Sequence, residues 1–290
     1  MKKLFCLVLC LCLALSLFPL SAQAGGLSYL ALGDSISTGY GLNDIPNECF
    51  AGILANAIGY DLTNYAVNGN TTGGIILQLL DPKVQAAIAD ADLITITIGG
   101  NDMLALFYTA ILNTYNTMTG GTAPLTLSDV GEIMSNSSDP RQMTLMMSAQ
   151  LALMGNPSAG TPSFVESEEI KTGLAAYATT LVTIVQSIHA FNPDVKVVVA
   201  TQYNPYAAFN DLYDSLRSGF ETGVLMLNKA IADSAQAGGY YVADVYSAFT
   251  GSEENLYNAA MEPMNLDIHP NAAGHAMIEK SFYATVAPLL

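Results

Sequence analysis

Short apolar runs alternate with helical patterns along most of this chain, and that alternation is its strongest constraint on fold. The run from Val195 to Thr201, VKVVVAT, is almost continuously apolar and β-branched, as strands covered on both faces are. Similar runs occur at Leu27–Leu32, at Leu93–Ile98 and, more weakly, at Asp61–Val67 and Tyr240–Val245. Between them lie stretches with helical spacing. Asn47–Ile58 stops at Gly59, and Gly74–Leu80 and Pro82–Ala89 are shorter pieces. Ile170, Leu174, Tyr177, Leu181, Ile184 and Ile188 mark one helix face. Phe220, Val224, Leu227 and Ile231 mark another, and Ile278, Phe282, Val286 and Leu289 a last one. Strand and helix in alternation predict a parallel sheet of about five strands sandwiched between helices, a three-layer α/β/α arrangement.

Two segments stand outside the alternation. Met1-Lys2-Lys3, the apolar Leu4–Leu20 and Ser21-Ala22-Gln23-Ala24 form the basic start, apolar core and small-residue cleavage site of a secretory signal peptide. Residues 1–24 are therefore expected to be removed, leaving 25–290 as the working domain, secreted or otherwise extracytoplasmic. An uncleaved anchor is the alternative, since the run nears the lower limit for a membrane span. No later segment reads as long and apolar enough to cross a bilayer. The second segment, 103–167, is far longer than the usual connection of about 4–6 residues. It holds Met103, Met118, Met134, Met143, Met146, Met147 and Met154. Methionine fills irregular gaps and suits adaptable surfaces. The segment reads either as a helical insertion packed on the core or as a cap whose inner face receives an apolar substrate.

Cysteine and charge narrow the field. Cys6, Cys10 and Cys12 fall in the leader, so Cys49 has no intramolecular disulfide partner, and burial is its default. With Lys2 and Lys3 removed, seven basic residues face 25 acids, a formal charge of −18. Such a surface repels phosphate backbones and disfavours nucleic acid as a partner.

The chemistry concentrates in strand-end loops, where ligands of open α/β sheets bind. The first strand runs into Gly33-Asp34-Ser35. A serine nucleophile needs a base, most often histidine. Of three histidines, His189 ends a helix and His275 lies in the first turns of one. His269 sits in NLDIHPN, on a loop held by Pro270 and beside an acid. The Gly-x-Ser-x-Gly elbow of the α/β-hydrolases is absent. Gly69, in NGNTTGG, follows the second strand, and Asn101, in GGND, follows the third. A glycine N–H and an asparagine amide are both suitable donors to a developing oxyanion. Asp34 and Asp102 read as acids that structure their own loops.

In this order GDSIS, NGNTTGG, GGND and DIHPNAAGH resemble the four sequence blocks of the SGNH hydrolases, the GDSL esterases and lipases, with Ile36 in place of the leucine. The resemblance runs from Leu27 to the C-terminus and is weakest in the Met-rich middle. QYNPY, Gln202–Tyr206, also looks like a segment of bacterial members. The resemblance implies a flavodoxin-like α/β/α sandwich and a serine carboxylic ester hydrolase that needs no cofactor and no metal. By it Ser35 is the nucleophile and His269 the base. The Ser35 N–H, the Gly69 N–H and the Asn101 side chain form the oxyanion hole. One departure stands out: the orienting Asp often lies three residues before the histidine, where this chain has Leu266. Either Asp267 reaches the ring or a backbone carbonyl orients it. Asp267 is favoured, because a carboxylate also stabilises the imidazolium.

The expected substrate is a small-molecule or lipid ester, with acetylated carbohydrate as the alternative. A metallophosphoesterase is poorly supplied with ligands by three histidines. A non-catalytic extracellular glycan-binding protein is the alternative from another class, though Ser35 and His269 are both present. Acyl-chain length and oligomeric state are not written in the sequence.

Overall fold

The computed structural model describes residues 26–122, 124–135, 138–155 and 162–290. The expected leader, 1–24, lies outside the described residues. Strands β1 (Ser28–Gly33), β2 (Asp61–Asn64), β3 (Leu93–Thr97), β4 (Lys196–Ala200) and β5 (Tyr241–Ala243) form a parallel sheet in the order β2-β1-β3-β4-β5. This is the flavodoxin-like order, whose direction of winding reverses between β1 and β3. The predicted strands are all present; β2 to β5 are each shorter than the expected run, and β1 is shifted by one residue, losing Leu27 and gaining Gly33.

Alternate side chains of each strand enter opposite layers. On one face Leu30, Leu32, Ile94, Ile96, Val197 and Val199 meet helices α4 (Thr72–Gln78), α5 (Pro82–Asp90) and, from later in the chain, Glu168–Phe191 and Asp214–Gly238. On the other face Tyr29, Ala31, Val198 and Ala243 pack against α3 (Phe50–Ile58) and the last helix, Ala272–Val286. Phe50 and Phe282 stack there at 5.0 Å between ring centroids.

Four local expectations change. The helix expected over Asn47–Ile58 is two, α2 (Ile45–Glu48) and α3, parted at Cys49, whose extended backbone (φ −74°, ψ 133°) no helix accommodates. Val245, read as the end of the last strand, instead begins a helix, because Asp244 caps it by accepting the Ser247 N–H. Met261 and Met264 lie in a two-stranded antiparallel ladder, β6 (Ala260–Met261) with β7 (Met264–Asn265), too short for periodicity to reveal. Finally, Glu168–Phe191 does reach the length and hydropathy of a membrane span. Its buried face, from Ile170 to Ile188, lies in the core.

The Met-rich middle is helical: α6 (Gly100–Met118), α7 (Leu127–Ser135) and α8 (Gln142–Met154), then a 3₁₀ turn at Phe164–Glu166. Phe107, Ile111, Tyr115, Val130, Leu145, Ala149 and Phe164 join the main core. The four helices that follow are α9 (Glu168–Phe191), α10 (Asp214–Gly238), α11 (Val245–Thr250) and α12 (Ala272–Val286).

Candidate active site

The end of β1 sets the site. Gly33 has φ +130°, in the region that favours glycine, and a Cβ there would lie 2.3 Å from the Thr97 carbonyl oxygen. The chain can therefore turn sharply against β3 only at a glycine. Asp34 then caps the one-turn helix α1 (Ser35–Thr38): its carboxylate accepts the Ile36 N–H at 3.0 Å and the Thr97 hydroxyl at 2.9 Å. Burial pushes the Asp34 carboxyl up to about 6 against the pull of those bonds. Its partners are those of a structural acid, as the sequence suggested. Ser35 is thus fixed at the first helical position and is nearly buried.

The His269 loop arrives from the far end of the chain. His269 Nε2 lies 2.9 Å from Ser35 Oγ, and His269 Nδ1 lies 2.5 Å from Asp267 Oδ1. The same Asp267 oxygen accepts the His269 backbone N–H at 3.0 Å. Burial raises the Asp267 carboxyl, but hydrogen bonds from the His269 ring and backbone and from Asn258 outweigh it and hold the group below the usual carboxylate range. One tight turn thus carries acid and imidazole together at a two-residue spacing.

The QYNPY segment holds that turn. The Tyr203 hydroxyl donates to the Ile268 carbonyl at 2.8 Å and the Tyr206 hydroxyl to the Leu266 carbonyl at 3.0 Å, one on each side of Asp267. Burial raises both phenols far above physiological pH, so both remain donors. Tyr40 packs on the His269 ring with centroids 4.7 Å apart. A Tyr between two turn glycines gives no sign, in one dimension, of a ring 229 positions away.

The loops after β2 and β3 close the arrangement. The Thr38 hydroxyl bonds Asn68 Oδ1 at 2.5 Å and also reaches the Ser35 carbonyl. On the other side of Gly69, the Asn70 carbonyl accepts Asn101 Nδ2 at 2.8 Å. Gly69 thus sits between residues tied to the Ser35 turn and to Asn101, in a left-handed conformation (φ +74°) with open space where a Cβ would be. Asp102 accepts both the backbone N–H and the hydroxyl of Thr72 and so braces the same loop. Among the described residues no cluster of His, Cys, Asp and Glu could hold a metal ion.

From Ser35 and Asn101 an apolar cavity of about 90 Å³ runs between α6 and α10. Met103 and Phe107 of α6, Leu153 of α8, Phe164, and Phe220 and Leu227 of α10 line it. The Phe107 ring meets Phe164 and Phe220 at 5.3 and 5.4 Å, and these three rings wall the cavity. The middle segment therefore both packs on the core and shapes the space beside the serine. A hydroxyl bonded to an imidazole that is itself bonded to a carboxylate can lose its proton as it attacks an electrophile.

Comparison with known proteins agrees with this geometry. The profile of the GDSL-like Lipase/Acylhydrolase family matches residues 31–277. The uncharacterized protein YpmR of Bacillus subtilis (strain 168) is 39% identical over 83 residues, which are 26% of this chain and 32% of that protein. The match thus spans about a third of that curated relative's length. Among solved structures, phospholipase A1 from Streptomyces albidoflavus NA297 superposes with a TM-score of 0.58 at 20% identity, covering 90% of this chain and all of that one. An extracellular lipase from Streptomyces rimosus gives 0.56 at 19% identity, covering 89% and 99%. At these identities the two structures show a shared fold. The family match extends over most of the chain, and the chain belongs to the GDSL-like lipase/acylhydrolase family.

Proposed function

We propose that this protein is a secreted serine esterase or lipase that cleaves carboxylic esters through an acyl-enzyme on Ser35. The observation that carries the reading is the Ser35–His269–Asp267 relay at 2.9 and 2.5 Å, whose serine lines an apolar cavity. Ser35 Oγ attacks the ester carbonyl while His269 Nε2 takes its proton. The negative charge on the carbonyl oxygen is met by the Ser35 and Gly69 N–H groups and the Asn101 amide. Collapse of the tetrahedral intermediate breaks the carbon–oxygen bond to the alcohol, which leaves with the proton from His269. Water, deprotonated by the same imidazole, then releases the acid. Asp267 holds the ring in the tautomer with its proton on Nδ1 and stabilises the imidazolium between the two transfers.

The cavity favours an acyl chain over a short acetyl group. Its walls are aliphatic and aromatic, and its volume is several times the roughly 10–15 Å³ that one water needs. Export is supported by the leader pattern at residues 1–24 and by the extracellular origin of one structural neighbour.

The test is a rate series on p-nitrophenyl esters from acetate to palmitate, with chelator present and Ser35→Ala beside the wild type. The reading expects hydrolysis that survives chelation, vanishes in Ser35→Ala and is fastest above acetate. A rate unaffected by Ser35→Ala would overturn the mechanism. A clear optimum at acetate would return the substrate to acetylated carbohydrate.

A further inference from the structure

Helix α8, Gln142–Met154, contains no charged residue. Its inner face is buried through Leu145, Ser148, Ala149, Ala152 and Leu153. Its outer face is apolar too: Met143, Met147, Leu151 and Met154 are 70, 50, 43 and 57% exposed. At about 100° per residue these four fall within one arc of roughly 80°, and they run about 16 Å along the helix. A surface helix of a soluble protein normally turns polar residues outward. Here Gln150 is the one polar side chain exposed on that face. The flanking Arg141 is paired with Asp139 at 2.7 Å.

We propose that the outer face of α8 seats the protein on a zwitterionic lipid surface, the aggregated form of its ester substrate. The proposal rests on the ester-hydrolase reading and adds where the substrate is met. Three observations select this occupant. Leu153, on the inner face of the same helix, lines the cavity that Ser35 also lines, so α8 forms part of the wall of the proposed acyl site. The full sequence carries a formal charge of −16, and −18 without residues 1–24, which repels anionic headgroups and leaves apolar contact with a neutral surface as the means of attachment. Four side chains partly exposed present a few hundred Å², short of the about 800 Å² per partner of a stable dimer. Methionine side chains also adapt readily to a fluid apolar boundary.

The test separates attachment from chemistry. Ser35→Ala protein is floated with phosphatidylcholine and with phosphatidylglycerol vesicles, with and without the added changes Met143→Gln, Met147→Gln and Met154→Gln. The parent is expected to partition onto phosphatidylcholine more than onto phosphatidylglycerol, and the triple variant to lose at least about tenfold in partition. With Ser35 restored, the triple variant is expected to hydrolyse soluble p-nitrophenyl acetate within about twofold of wild type but vesicle lipid at least about tenfold more slowly. Met147→Gln alone, checked for an unchanged melting temperature, guards against misfolding. Equal partition of parent and variant, no binding of the parent to phosphatidylcholine, or preference for phosphatidylglycerol would overturn the proposal. So would a dimer in sedimentation that the triple variant breaks, which would assign the face to a second copy. Failure of the wild type on every soluble ester would instead refute the ester-hydrolase reading, while vesicle binding by the Ser35→Ala protein is judged on its own.

Discussion

Replacing Asp267 by Asn isolates what the carboxylate does for His269. The substitution keeps an oxygen that can accept the His269 backbone N–H now 3.0 Å from Oδ1. It removes a negative charge beside an imidazole that must become positive in the transition state. Two unit charges about 4 Å apart interact by about 4 kcal/mol at an effective dielectric of 20. The Asp267 side chain is 32% exposed and the imidazole 14%, so solvent recovers part of that. A remaining loss of about 3 kcal/mol corresponds to roughly 10²-fold in rate. If the Asn amide also donates to Nδ1 and reverses the tautomer, the loss approaches about 10⁴-fold, the figure for a triad acid in a buried setting. Asp267 does not line the cavity, so KM should change little while kcat falls. The assay is kcat and KM on p-nitrophenyl butyrate at pH 8, with the melting temperature as control. A loss in kcat below about tenfold in a normally folded variant would show that the carboxylate neither orients nor stabilises the ring, and the backbone-carbonyl alternative would replace it.

Asn101→Ala removes one proposed oxyanion donor and should lower kcat by about 10²–10³ with little change in KM; stopped rates on the same ester measure it. Gly223 of α10 lines the cavity, and a methyl there meets only the flexible end of Met103, at 3.2 Å. Gly223→Ala should therefore raise stability by about 0.5–1 kcal/mol in thermal unfolding and move the acyl optimum to shorter esters. His275 is fully buried, takes the Phe50 N–H on Nδ1 at 3.4 Å, and burial lowers it to about 4. Between pH 6.5 and about 4 the unfolded chain binds this proton and the folded protein does not, so stability falls as pH falls, by at most about 3 kcal/mol. Urea midpoints of His275→Asn, which keeps an acceptor, should lack that part of the wild-type slope.

The sheet was legible because β1, β3 and β4 are nearly unbroken apolar runs, a pattern that buried parallel strands impose. His269 could be singled out because only three histidines compete and it lies on a loop before a helix, whereas Ser35 and Asp267, among 20 serines and 15 aspartates, stood out only within the GDSIS and DIHPNAAGH blocks. The pairing of Asp267 with the ring depended on the geometry of one turn, which spacing alone left open. Tyr203 and Tyr206 were noticed as a segment, but their grip on the Ile268 and Leu266 carbonyls depends on strand order, which brings β4 beside the last loop. The break at Cys49 arises from tertiary fit: a Cβ on Gly39 would lie 2.9 Å from that of Cys49, so the two turns are pressed together. The face of α8 that is buried could not be read, because both faces are apolar.

The central claim is that Ser35 carries the acyl group. An organofluorophosphonate, which traps activated serines, followed by peptide mass spectrometry tests it directly. The account predicts one adduct, on the peptide containing Ser35, absent in Ser35→Ala and strongly slowed in His269→Ala. Ester hydrolysis that continues with Ser35 unlabelled, or an adduct on another residue that accounts for the lost activity, would contradict it.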